Sequence, residues 1–120
     1  MILRALAVCA VLCLPGLAGA QNVAIGTGAE LRGLDKITGE AIDMTLATGE
    51  SAALGKLEVT LRECRYPAED AAGDAYAFVR VRDPQDGAPV FEGWMLASSP
   101  ALNAMEHPRY DIWVSRCKID

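Results

Sequence analysis

Histidine occurs once in this 120-residue chain, at position 107, and aromatic residues make up only 6% of it. A lone imidazole argues against zinc centres built on several ring nitrogens. Positive charge is also scarce: eleven Lys and Arg face sixteen Asp and Glu, for a net charge of -5. A nucleic-acid partner is therefore not expected, because phosphate backbones are held by clustered cations that displace counterions. The same deficit argues against an anionic membrane surface. None of the four cysteines stands in a C-x-x-C pair, so the spacing of dithiol redox and zinc motifs is missing. Long apolar runs are absent apart from Ala5 to Leu14, about half of the roughly twenty residues that a bilayer-spanning helix requires.

That one run belongs to a recognisable pattern. Met1 to Arg4 is a short positive region, Ala5 to Leu14 is apolar, Pro15-Gly16 breaks it, and Ala18-Gly19-Ala20 has small residues where a signal peptidase reads. The pattern predicts a signal peptide over residues 1–20 cleaved after Ala20, and hence export without membrane insertion afterwards. The expected destination is a bacterial periplasm, with a eukaryotic secretory route as the alternative. Val8 and Leu12 precede Cys9 and Cys13, where lipoprotein processing would want small residues, so lipidation is not expected. The mature chain then retains Cys64 and Cys117. In an oxidising compartment the expectation is a disulfide, with two separate buried thiols as the alternative.

Residues 21–28 are small, polar and glycine-containing, which predicts a flexible arm before a single globular domain over residues 29–120. Period-2 alternation then recurs: Ile42, Met44 and Leu46; Leu57, Val59 and Leu61; and Ala75, Ala77, Val79 and Val81 opposite Tyr76, Phe78, Arg80 and Arg82. Cys64 falls on the wrong parity for its strand. Either that strand is buried on both faces near its end, or a bulge between Leu61 and Cys64 reverses the phase. Asp83-Pro84-Gln85-Asp86-Gly87 predicts a turn leading into a strand over Val90 to Leu96. Ser98-Ser99-Pro100 reads as a helix start, giving a short helix over Pro100 to Glu106 with Leu102 and Met105 facing inward. In the last strand Ile112 and Val114 share one face with Tyr110, while Trp113 and Cys117 share the other. The fold class expected is mainly β: a small antiparallel sandwich or barrel of six to seven strands with one short helix before the last, and an α+β domain as the alternative.

Residues able to carry chemistry gather between Phe91 and Cys117. Ser98, Ser99, His107 and Asp111 have the residue types of an acyl-transfer triad, but no G-x-S-x-G elbow accompanies them, and each has a structural explanation. Glu106, His107 and Asp111 are a weak metal set, and Glu69 and Asp70 lie in a loop with no desolvation to raise a carboxyl pKa. No catalytic residue, metal or cofactor is expected. Trp94 and Trp113 read either as a ligand platform or as core, with core favoured for at least one. Gly93 marks a bulge or a close backbone approach. Arg80 and Arg82 form either a binding stripe or a solvated face.

The run Gly93 to Ala104, with Glu106-His107-Pro108, Tyr110-Asp111 and Trp113-Val114, resembles the signature of family 2155 of the domains of unknown function, small exported alphaproteobacterial proteins. Leu31 to Gly39, Gly55-Lys56-Leu57 and Arg62-Glu63-Cys64 fit the same pattern. The resemblance implies a periplasmic protein and offers no catalytic residue to carry over. It further implies an accessory or assembly role at an inner-membrane respiratory complex, the NADH dehydrogenase. The function expected is a non-catalytic interaction module with a protein partner, presenting Trp94, Ser98, Ser99, Pro100, Asn103, Glu106, His107, Tyr110 and Trp113. A small-ligand or glycan- and peptide-binding domain using Trp94, Trp113 and Arg80 is the second reading, and a hydrolase using Ser98 or Ser99 with His107 the third.

Overall fold

A computed structural model describes residues 22–120. The expected signal peptide lies outside the described residues. Eight strands follow one another: β1 (Val23–Ile25), β2 (Gly28–Asp35), β3 (Ala41–Ala47), β4 (Ser51–Leu54), β5 (Leu57–Pro67), β6 (Tyr76–Arg82), β7 (Pro89–Leu96) and β8 (Tyr110–Lys118). They make two antiparallel sheets, one ordered β1-β5-β6-β7 with β4 also on β5, the other β3-β2-β8. β1 and β4 share one edge of β5, β1 pairing with Arg65 to Pro67 and β4 with Leu57 to Thr60. The segment expected as an arm thus contains a paired strand, β1, and the first residue of β2.

The core between the sheets is built by the alternation read from the sequence. Leu57, Val59, Leu61, Ala77, Val79 and Val81 from the larger sheet meet Leu31, Met44, Leu46, Ile112 and Val114 from the smaller, all buried. Residues of opposite parity on β6, namely Tyr76, Phe78, Arg80 and Arg82, stay half-exposed on the outer face.

Two bulges decide where the cysteines point. In β5, Leu61 pairs with Val79 and Glu63 with Phe78, so Arg62 is the extra residue and Cys64 swings onto the buried side. The bulge was one of the two readings of that strand. In β8, Glu30 pairs with Arg116 and Leu31 with Val114, leaving Ser115 unpaired. Cys117 therefore joins Ile112 and Val114 in the interior rather than sharing the face of Trp113, contrary to the simple alternation. A bulge adds one residue and reverses parity, so two of them bring both thiols inward. Cys64 and Cys117 form a disulfide with Cα atoms 5.7 Å apart, joining one sheet to the other.

Gly26 carries the chain over this junction. Its amide donates to the Cys64 carbonyl, and a Cβ there would lie 2.7 Å from the Lys118 carbonyl oxygen and 3.2 Å from the Cys117 Cβ. No side chain fits between the crossing backbone and the disulfide.

The helix expected over Pro100 to Glu106 is absent; Pro100 to Asn103 form a turn, Ala104 to Glu106 are irregular, and the described residues contain no helix. Met105 is buried as foreseen, but Leu102 is 72% exposed. A single inward residue gives a two-turn helix no apolar stripe to bury, and isolated helices so short are unstable. Ser98, expected as a cap, is bonded elsewhere.

Candidate functional site

The tertiary structure divides Phe91 to Cys117 among three environments. Trp94 lies on the outer face of the larger sheet, alternating with the buried Met95. Phe78, its cross-strand partner, meets it edge-on with ring centroids 5.3 Å apart. The Arg65 guanidinium sits over the indole, 5.0 Å from the ring centroid. Glu63 holds Arg65 in that position through bonds from Nε and Nη2, each 3.1 Å long. Beside the indole runs a shallow groove of about 270 Å³, lined by Val23, Arg65, Tyr76, Trp94 and Leu96. This is a mostly apolar patch on a face that the core does not use.

Trp113 is on the outer face of the other sheet, between the buried Ile112 and Val114 and across from Arg32. Arg32 in turn bonds Asp43 at 3.0 Å. The two tryptophans therefore do not form one platform, and neither is a core residue. The expectation of at least one core tryptophan is corrected by alternation: each precedes or follows a smaller aliphatic side chain that takes the inward position.

The loop from Ala97 to Arg109 ties the two sheets together, and most of the residues expected to face a partner are engaged within it or through it. Asn103 Nδ2 donates to the Trp94 carbonyl at 2.8 Å on the edge strand, and a Cβ on Gly93 would lie 2.8 Å from that same amide nitrogen. The close approach expected at Gly93 is that of Asn103. Ser98 donates its amide to Asp74 Oδ1 at 3.0 Å and its hydroxyl to Asp74 Oδ2 at 2.7 Å. Partial burial alone would raise the Asp74 carboxyl, but bonds from the Ser98 hydroxyl, the Ala75 and Ser98 amides and the Tyr76 hydroxyl outweigh it and hold the group below its ordinary range. Ser99 and Pro100 are exposed in the turn, the Ser99 carbonyl accepting from the Leu102 amide at 3.0 Å. Glu106 is exposed as well.

His107 accepts bonds at Nδ1 from the amides of Arg109 and Tyr110, both 3.1 Å, which places the neutral ring's proton on Nε2. It stacks on Tyr110 at 5.4 Å, and its carbonyl accepts from Lys36 Nζ at 2.6 Å. Tyr110 is buried, with its hydroxyl end against Gly55. Arg109 donates through Nε and Nη2 to Asp35 Oδ2 at 3.2 and 2.9 Å. With the Thr38 and Ile37 amides adding to the Arg109 bonds, the Asp35 carboxyl is lowered to about 2.

Of the residues weighed as a triad, Ser98 is bonded to Asp74, His107 Nδ1 to the Arg109 and Tyr110 amides, and Asp111 Oδ1 accepts from the Ile112 amide. Among the described residues no group of three His, Cys, Asp or Glu side chains is arranged to hold a metal ion. What sequence reasoning did not assemble is the surround of Trp94. Tyr76 and Phe78 were legible from alternation on β6, but Arg65 joins them only because the bulge at Arg62 resets the parity of β5.

Comparison with known proteins bears on the family. An uncharacterised protein of Rickettsia prowazekii, RP359, is 29% identical over 94 residues, covering 76% of this chain and 61% of that protein. The chain thus spans about three-fifths of that relative's length. No solved structure matches the chain. The model of the family described as an uncharacterised protein conserved in bacteria, DUF2155, matches residues 29–117, from the second residue of β2 to the disulfide cysteine of β8. The protein belongs to the DUF2155 family.

Proposed function

We propose that this protein is an exported, non-catalytic interaction module that docks a protein partner on the outer face of its larger sheet, around Trp94. The observation that carries the reading is the open patch of Trp94, Tyr76, Leu96 and Val23 with Arg65 laid over the indole. Rigid aromatic side chains with an arginine beside them supply contact area at low entropic cost, and such residues dominate binding at protein interfaces. The N-terminal signal pattern and the disulfide support the periplasm as its location. The family resemblance makes the inner-membrane NADH dehydrogenase the first complex to test as partner. The glycan reading has less support, since Trp94 and Trp113 lie on different sheets and Arg65 already covers the Trp94 ring. The hydrolase reading has less still, because Ser98 donates to Asp74 and His107 Nδ1 is bonded to backbone.

The test is affinity purification of tagged protein from envelopes in mild detergent, beside a Trp94→Ala variant of unchanged melting temperature. A membrane complex recovered with the wild type and lost with the variant is the expected result. Equal recovery with both would remove Trp94 from the interface, and recovery of free monomer alone would end the docking reading.

A further inference from the structure

Arg80 stands apart from the other arginines of the outer sheet face. Arg65 is paired with Glu63 and Arg82 with Glu58. Among the described residues Arg80 makes no ion pair, and its Nε is buried without a hydrogen-bond acceptor. Glu92 lies directly across on β7 and Thr60 on β5, and neither engages it. With Nε enclosed and the residue as a whole half-exposed, the guanidinium can meet a ligand only through its terminal nitrogens, which have no protein acceptor and can receive a carboxylate end-on.

Its position relative to the apolar groove narrows the ligand. Tyr76, Phe78 and Arg80 follow one another on the outer side of β6, and Trp94 is opposite Phe78. Same-face residues on a strand are spaced by about 7 Å, so Arg80 lies roughly 7 Å beyond the level of Trp94 and roughly 13 Å beyond Tyr76. The groove is shallow and open rather than enclosed, which suits an extended chain better than a small molecule that must be enclosed.

Resting on the docking reading above, we infer that the partner presents an extended polypeptide segment bearing an apolar side chain for the Trp94 groove and a carboxylate for Arg80, roughly two to four residues apart. Arg80 then supplies the choice of acidic over neutral segments, while the groove supplies affinity that does not depend on charge.

Binding of the full mature protein to an array of short synthetic peptides tests this. Each peptide carries one Glu and one Leu or Phe at the stated spacings, with counterparts in which Glu is replaced by Gln or the apolar residue by Ser. Expected is a preference of about tenfold for Glu over Gln, reduced by salt. Arg80→Gln should abolish that preference while leaving weak apolar binding, and Arg80→Lys should restore part of it. The Arg80 variants should melt within about 3 °C of the wild type, since no ion pair is lost. Binders without acid preference, or a preference that survives Arg80→Gln, would overturn the Arg80 assignment while leaving the docking face intact. No binder of any composition would overturn both.

Discussion

Asp35 shows how a single side chain can hold a loop that secondary structure leaves unsupported. Its carboxylate accepts from Arg109 on one oxygen and from the Ile37 and Thr38 amides on the other, fastening the start of β8 to the β2–β3 turn. The folded-state value of about 2 is below the ordinary carboxylate value of roughly 3.9, so Asp35 favours folding above that value and its contribution is lost as pH falls towards 2. Asp35→Asn keeps an acceptor for the amides and loses the charge. The difference in melting midpoint between wild type and this variant should be largest near neutral pH and should shrink steadily below about pH 4. A difference that stayed constant down to pH 2 would show that the ion pair does not operate as described. At Gly55 the constraint is steric: φ is +58°, and a Cβ would collide with the Tyr110 hydroxyl. Gly39 has φ +77° with open space around it. Alanine at position 39 should cost about 1 kcal/mol from backbone strain alone, and at position 55 distinctly more, by chemical denaturation. Tyr110, expected on the partner-facing surface although it shares a face with Ile112 and Val114, is instead buried, and its packing on Gly55, far away in the chain, left no local signal.

Strands are the level at which the sequence was most informative, because burial of one sheet face leaves a period-2 record that β3, β5 and β6 keep. The record fails where backbone pairing slips. At Arg62 the parity change was visible as an oddly placed cysteine; at Ser115 nothing local announced it, and Cys117 was assigned to the wrong face. If the bulges are what turn the thiols inward, deletion of Arg62 should point Cys64 outward, open to labelling in the unreduced native protein, while Cys117 stays buried and is labelled only on unfolding. A protein that still formed the disulfide after the deletion would contradict this. The loop between β7 and β8 failed as a prediction for another reason. Its serine and proline have the chemistry of a helix start, but Asp74, brought close by β6, takes the Ser98 amide and hydroxyl, and Asn103 bonds the edge of β7. Asn103→Ala should lower stability by about 1 kcal/mol and raise hydrogen exchange along β7.

At the scale of the whole molecule the disulfide adds a covalent link between two sheets that already share one buried core. It closes a separation of 53 residues, and the loop-entropy model assigns such a crosslink about 4 kcal/mol. Domains of this size have roughly 5 to 15 kcal/mol in total, so paired Cys64→Ser and Cys117→Ser substitutions should leave a marginal fold with a melting midpoint lowered by well over 10 °C. An unchanged midpoint would mean that packing between the sheets suffices. The outer faces are then free for other uses, and the larger sheet has an aromatic patch where the smaller one has Trp113 beside the Arg32–Asp43 pair.

Composition, alternation and turn residues by themselves determined a mainly β fold, the inward faces of most strands, the cysteines available to pair and the family resemblance, since each leaves a signal within a few residues of chain. Only the tertiary structure decided that the two tryptophans are on opposite outer faces, that Ser98 and His107 have separate structural partners, and that Arg65 lies over Trp94 while Arg80 has no partner among the described residues. Those outcomes depend on which strands lie side by side and where their register slips, and contacts between residues tens of positions apart leave no periodic trace in the sequence.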